Sequence, residues 1–108
     1  MTLNEYQKIS RSTAIYPGSE TFNGIVYCTL KLNGEAGEVA ELVGKTIRGD
    51  FQSLPVDKCI KELGDVLWYI SNIASELGTD LETIAQTNLD KLADRAKRGV
   101  LQGSGSER

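Results

Sequence analysis

With 108 residues the chain is long enough for one domain with a modest core and too short for two. Its 15 acidic against 12 basic side chains leave a net charge of −3, which argues against a nucleic-acid partner and against an anionic membrane surface. Histidine is absent and the two cysteines, Cys28 and Cys59, form no CxxC pair, so zinc sites of the usual kind and every histidine-based triad are excluded.

In chain order, four helical segments are predicted. The first opens at Thr2, whose hydroxyl forms a T-x-x-E capping box with Glu5, and runs towards Ile15, where Tyr16-Pro17-Gly18 stops it. The second starts around Thr21 to Asn23 and continues to about Ile47, ahead of Arg48-Gly49-Asp50. The third follows Pro55 and ends at Gly78, a natural left-handed C-cap. Thr79 and Glu82 make a second capping box for the fourth, which ends at Arg98-Gly99. Residues 101–108, rich in Gly and Ser, read as a flexible tail after a helical domain over residues 1–100.

No segment alternates with period two, so strands are not expected; short loops joining helices favour an all-α, antiparallel four-helix bundle. No stretch reaches the roughly 18 apolar residues of a membrane span, and MTLNEYQKIS has no apolar signal core. A cytoplasmic location is therefore expected, with both cysteines as buried free thiols.

The third segment carries two stripes. Val56, Cys59, Ile60, Leu63, Val66, Leu67, Ile70, Ala74 and Leu77 recur at three and four and predict the buried face. Glu62, Asp65, Tyr69 and Asn72 form a second, polar stripe. Trp68 falls on neither and is flanked by Gly64, Ser71 and Ser75, which reads as a second packing surface. A helix of the same chain or a second subunit would cover it; the second subunit is preferred, since four short helices cover only part of such a helix.

The second segment holds LNGEAGEVAEL, residues 32–42, with Glu35, Glu38 and Glu41 at three-residue intervals around Gly34 and Gly37. Stacked like charges and interior glycines both weaken a helix, so the run calls for a reason. Glu35 with Glu38, and Glu62 with Asp65, are two i, i+3 pairs, each beside an apolar stripe. Two antiparallel helices offering such pairs to each other bring four carboxylates together, and unpaired they would repel and raise their own pKa values. The alternative is a pair of solvated amphipathic faces. Oxygen ligands without His or Cys select Mg2+, with Mn2+ as a substitute, and the glycines would let a partner helix, cation or nucleotide approach the backbone.

On the fourth segment Leu81, Ile84, Ala85, Leu89 and Leu92 mark a buried side, and Asn88, Lys91 and Arg95 form a polar stripe within or beside it. A cationic stripe facing an acid–metal cluster suits a polyphosphate bridging the two; salt bridges from Lys91 and Arg95 to the same glutamates are the alternative. Lys45 and Arg48 are further phosphate candidates, although basic residues at a helix C-terminus are expected anyway.

GEAGEVAE (34–41) followed by KELGDVLWYI (61–70) resembles the MazG-like all-α nucleoside triphosphate pyrophosphohydrolases, whose pattern is EExxE, a spacer and ExxD. The closing NLDKLADRAKRGVLQGSGSER (88–108) and the opening EYQ…TAIYP (5–17) are similar to one single-domain branch of that superfamily. The resemblance implies magnesium-dependent hydrolysis of (d)NTPs between the α and β phosphates, as a cleaning of nucleotide pools. By matched position it implies Glu35, Glu38, Glu62 and Asp65 as metal ligands, Asn88 and Lys91, with Arg95 beside them, facing phosphates or sugar, and a homodimer or homotetramer. Gly34 stands where the pattern has its first glutamate, so the water-orienting role would fall to Glu38 or Glu41. A non-catalytic nucleotide- or metal-binding bundle, a sensor or interaction module, is the second reading. Base selectivity would depend on Gln7, Thr13 and Tyr16.

Overall fold

A computed structural model describes residues 1–106 and 108 and contains the helices α1 (Leu3–Arg11), α2 (Phe22–Ile47), α3 (Val56–Glu76) and α4 (Leu81–Arg98), with no strand among the described residues. The Thr2 hydroxyl accepts the Glu5 amide at 3.0 Å, as the capping pattern requires. α1 stops at Arg11, short of Ile15, because the hydroxyls of Ser12 and Thr13 turn back to the carbonyls of Ile9 and Ser10 at 2.6 and 2.8 Å.

Between α3 and α4 the sequence reading needs correction. Gly78, at φ +74°, closes α3 in a Schellman motif: its amide bonds the Ser75 carbonyl and the Thr79 amide bonds the Ala74 carbonyl. Thr79 is thereby committed to the end of α3. Asp80 caps α4 instead, its carboxylate accepting the Thr83 amide at 2.7 Å.

α2 and α3 form an antiparallel hairpin, the most extensive helix pair in the molecule. Shielded residues recur at Ile25, Cys28, Leu32, Glu35, Val39 and Leu42 on α2, and at Cys59, Glu62, Val66, Tyr69, Ile73 and Glu76 on α3. That three–four spacing is a coiled-coil-like seam, and it carries acids at its middle. Near one end of the seam Gly24 is obligatory: a Cβ there would meet the Gly18 carbonyl oxygen at 2.6 Å.

α1 docks on α3 through hydrogen bonds more than through apolar contact. Ser10 pairs with Ser71 at 2.8 Å, and Gln7 donates to Ser75 Oγ and to the Thr79 carbonyl, both at 3.0 Å, while accepting the Leu81 amide at 2.7 Å. Arg11 reaches Asn72 Oδ1 at 3.1 Å and Glu76 at 2.7 Å. Buried polar groups are stable where each finds a partner, so Ser71 and Asn72 are completely buried here.

The predicted apolar stripe of α3 behaves differently. Cys59 and Ala74 are buried, but Val56, Ile60 and Leu63 are 58%, 60% and 53% exposed. α4 packs mainly on α1, and its Leu89 is 59% exposed. The four helices therefore do not close a bundle around one core within a single chain. The radius of gyration, 16.6 Å, is accordingly larger than the about 13 Å of a compact chain of this length. Both cysteines are buried free thiols. No described helix is long and apolar enough to cross a membrane.

Candidate functional site

The middle of the α2–α3 seam brings Glu35, Glu62 and Asp65 together, with one carboxylate oxygen of each within 4.8 Å of the others. Glu35 and Glu62 are half-buried, because both occupy seam positions; Asp65, one turn further along α3, is exposed. Desolvation pushes the Glu62 pKa up, and the negative charges of Glu38, Asp65 and Glu35 together with a hydrogen bond to Glu35 push it further. Asp65 in turn adds to the burial that raises the Tyr6 hydroxyl, which places α1 beside the cluster.

Three of the four predicted ligands thus converge, and Glu38 lies at the rim, exposed but near enough to act on Glu62. Such a donor set is all oxygen, anionic and self-repelling, which is the chemistry of a site for a hard divalent cation. Glu41 and Lys45 are elsewhere: they form an exposed i, i+4 ion pair at 3.1 Å, so the structure does not bring either to the acids. Nothing of the chain lies within 4 Å of where a Cβ would stand at Gly34 or Gly37. The close approach expected at these glycines is therefore not made by another helix of the same chain.

In front of Glu35 and Asp65 opens a cavity of about 320 Å3, also lined by Thr13, Trp68 and Tyr69. Trp68 donates its Nε1–H to Thr13 Oγ1 at 2.9 Å and meets Tyr16 and Tyr69 edge to face, with centroids 6.1 and 4.9 Å away. The same chain thus engages this tryptophan, which stays partly exposed at the cavity.

Tyr16 stacks on Tyr27 at 5.6 Å and is held from behind by Glu76, which accepts its hydroxyl along with Arg11 and the Glu20 amide. Burial first, then Glu76 and the Cys28 thiol, raises the Tyr16 pKa, so the phenol stays a donor. Burial would raise Glu76 as well, but the hydrogen bonds from Tyr16, Arg11 and the Glu20 amide outweigh it and hold the carboxyl below its usual range. Of the three residues expected to contact a base, only Thr13 reaches the cavity. Tyr16 is buried against Trp68, and Gln7 is buried at the junction of α3 and α4, bonded to Ser75, Thr79 and Leu81.

The α4 stripe is separate. Asn88 and Lys91 are exposed and line another cavity of about 390 Å3 with Thr79, Thr83, Ile84 and Thr87. Arg95 is only 5% exposed, and its guanidinium donates to the carbonyl of Ser106 at 2.7 Å and, more weakly, to that of Gly105 at 3.4 Å. These bonds set Gly105 and Ser106 of the expected tail against α4; residue 107 lies outside the described residues. Salt bridges from Lys91 or Arg95 to the site glutamates are absent among the described residues.

Sequence reasoning missed Tyr6 and the joint role of Thr13 and Trp68. Tyr69 did carry a signal, since it shares the stripe of Glu62 and Asp65. Tyr6 carried none, and Thr13 was expected only as a base contact and not as the acceptor of Trp68, because nothing local says which side of α3 receives α1.

A family model described as the MazG nucleotide pyrophosphohydrolase domain matches residues 27–100, a stretch that contains all four clustered or rim acids. The chain is 43% identical over 114 aligned residues to the gene 37 protein of Mycobacterium phage L5, covering 100% of both chains; that name states no activity. No solved structure matches the chain.

Proposed function

Because the chain belongs to the MazG nucleotide pyrophosphohydrolase family, we propose that it hydrolyses (d)NTPs between the α and β phosphates to (d)NMP and pyrophosphate, dependent on magnesium, in the cleaning of cytoplasmic nucleotide pools. One observation carries this reading: Glu35, Glu62 and Asp65, contributed by two helices, place carboxylate oxygens within 4.8 Å of one another.

Glu35, Glu62 and Asp65 would hold Mg2+, with Glu38 available at the rim. When bound, magnesium draws charge from phosphate oxygens and lowers the barrier to in-line attack at phosphorus. The chain's own part is to place the water. Glu38 is exposed, adjacent and tied to no partner among the described residues, so it orients the water and accepts its proton. Glu41, paired to Lys45, is the less suitable base, and Lys45 a weaker phosphate ligand, in this geometry.

The phosphate-facing roles of Asn88 and Lys91 require an assembly, since their own chain sets them apart from the acids. The exposed stripe Val56, Ile60 and Leu63 on α3 and the exposed Leu89 on α4 support a homodimer or homotetramer in which α4 of one copy lies over the hairpin of another. Arg95 joins the phosphate ligands only if the tail lets go of it.

Pyrophosphate release should be measured with each (d)NTP and Mg2+. Release that Glu38→Gln or Glu62→Gln removes supports the enzyme. Tight metal binding without release from any nucleotide would favour a non-catalytic sensor, the reading to which Gly34 in place of the first motif glutamate points.

A further inference from the structure

Arg11 and Arg95 are both withdrawn from solvent, and they are satisfied in different ways. Arg11 meets a carboxylate, Glu76 at 2.7 Å, and also donates to Asn72 and Ser19. Arg95, in the last turn of α4, is the more deeply enclosed, yet it has no acid partner among the described residues. Its Nη2 reaches only the Ser106 and Gly105 carbonyls, at 2.7 and 3.4 Å. Its Nε–H, also buried, finds no acceptor among the described residues. A buried cation held by neutral groups, with one donor left over, is a costly arrangement.

The segment that covers Arg95 is held by arginines and by little else. Arg108 gathers the carbonyls of Val100, Leu101 and Gly105 at 3.1, 2.9 and 2.7 Å. Gly103 and Gly105, at φ +144° and +90°, let the chain double back where other residues would be strained. Apolar contact contributes little, since Leu101 and the residues from Gln102 to Ser106 are exposed. A segment with so few buried apolar contacts opens far more readily than the helices do. Its closure over Arg95 depends on carbonyl oxygens, which are uncharged acceptors. A phosphate group is a stronger acceptor and offers two oxygens at once to the fork of Nε and Nη2. Lys91, one turn before Arg95 on α4 and exposed, adds positive charge on the same side of the helix.

We propose that residues 100–106 are a latch closed on Arg95, and that a polyphosphate anion opens it by replacing the tail's carbonyls on the guanidinium. The closed latch withholds Arg95 from any ligand, and the anion both frees the segment and fills the idle Nε–H. This goes beyond the hydrolytic reading above: it concerns access to Arg95 and holds whether or not the bound polyphosphate is cleaved.

Nuclear magnetic resonance on the intact protein reads both halves of this exchange, with EDTA present so that no cation brings the probe to the acids of α2 and α3. Without added anion, backbone relaxation should show residues 100–106 as ordered as the end of α4. Inorganic pyrophosphate should shift the Arg95 Nε–H signal saturably and release residues 100–106 to fast motion with the same midpoint. Sodium chloride at matched ionic strength should do neither. Arg95→Gln should leave the segment mobile from the outset and weaken pyrophosphate binding by about tenfold. If that variant does not fold, the wild-type titration decides alone. A segment already mobile without anion, one still ordered at saturating pyrophosphate, or one released by sodium chloride overturns the latch. Unchanged pyrophosphate binding by Arg95→Gln overturns it too. Neither metal nor hydrolysis enters the titration, so its failure leaves the pyrophosphohydrolase reading standing, and a lack of hydrolysis leaves the latch standing.

Discussion

The two ends of α3 differ. Its apolar stripe is buried at Ala74 but more than half exposed at Val56, Ile60 and Leu63, while the polar Ser71, Asn72 and Glu62 are wholly or partly shielded by α1 and α2. Exposed apolar residues of this kind are the support for the proposed assembly of copies. The polar face is tolerated inside because its groups are paired with Ser10, Gln7 and Arg11, or, for the acids, because a cation can neutralise them. In one helix, then, the shielded polar groups carry the proposed metal site and the exposed apolar residues the proposed assembly.

The comparison can be broken most sharply at Glu62. Glu62→Gln should lower pyrophosphate release on the order of a thousandfold while leaving the metal-free melting temperature unchanged or higher, because it removes one of the mutually repelling carboxylates. A calorimetric scan beside an activity assay separates the two effects. A clear loss of metal-free stability would show that Glu62 is a structural acid and not a ligand.

Next in size is the anchor at the shielded end of α3. Glu76→Ala leaves the Tyr16 hydroxyl and the Arg11 guanidinium without their shared acceptor and should cost about 3 kcal/mol in denaturant unfolding. The exposed apolar residues give a contrasting test. If Leu63 stays in solvent, Leu63→Ala changes stability by less than about 0.5 kcal/mol. Packed against a second copy, it should cost about 2 kcal/mol or more and make melting depend on protein concentration. Light scattering of wild type and Leu63→Glu reads the same point directly, with a monomer expected for the variant.

The smallest effect is on acid sensitivity. Glu76 has its folded pKa lowered from 4.5, so its contribution is complete above that value and disappears as pH falls through the lowered folded pKa. Glu76→Gln should flatten the stability profile in that acid range and leave its shape near neutrality intact. An unchanged acid limb would mean that the Arg11–Glu76 pair contributes nothing to stability.

Much of this arrangement was legible in local pattern. α2 and α3 are found within a residue or so of their predicted limits, since glycine, proline and apolar periodicity act locally. The i, i+3 spacing of Glu35 with Glu38 and of Glu62 with Asp65 pointed to a convergence of four carboxylates, of which Glu35, Glu62 and Asp65 come together. The position of the α4 cap was not legible, because Thr79 and Asp80 are both good caps and the Schellman turn of α3 decided between them. Nor was Arg95, whose apparent place in a phosphate-facing stripe gave no sign that the tail's carbonyls would enclose it.

By itself, then, the sequence determined what depends on neighbours a few residues away: four helices, their caps at Thr2 and Gly78, two buried thiols and two pairs of acids at helical spacing. Only the tertiary structure decided which part of the apolar stripe of α3 is covered, and that Ser71 and Asn72 are buried with it. Hydrophobicity favours the apolar stripe for burial, but α1 offers Gln7, Ser10 and Arg11 where only a polar face can answer them. That match depends on how two distant segments meet, and no periodicity within either of them contains it. The same meeting sets Thr13 against Trp68 and builds the aromatic wall beside the acids.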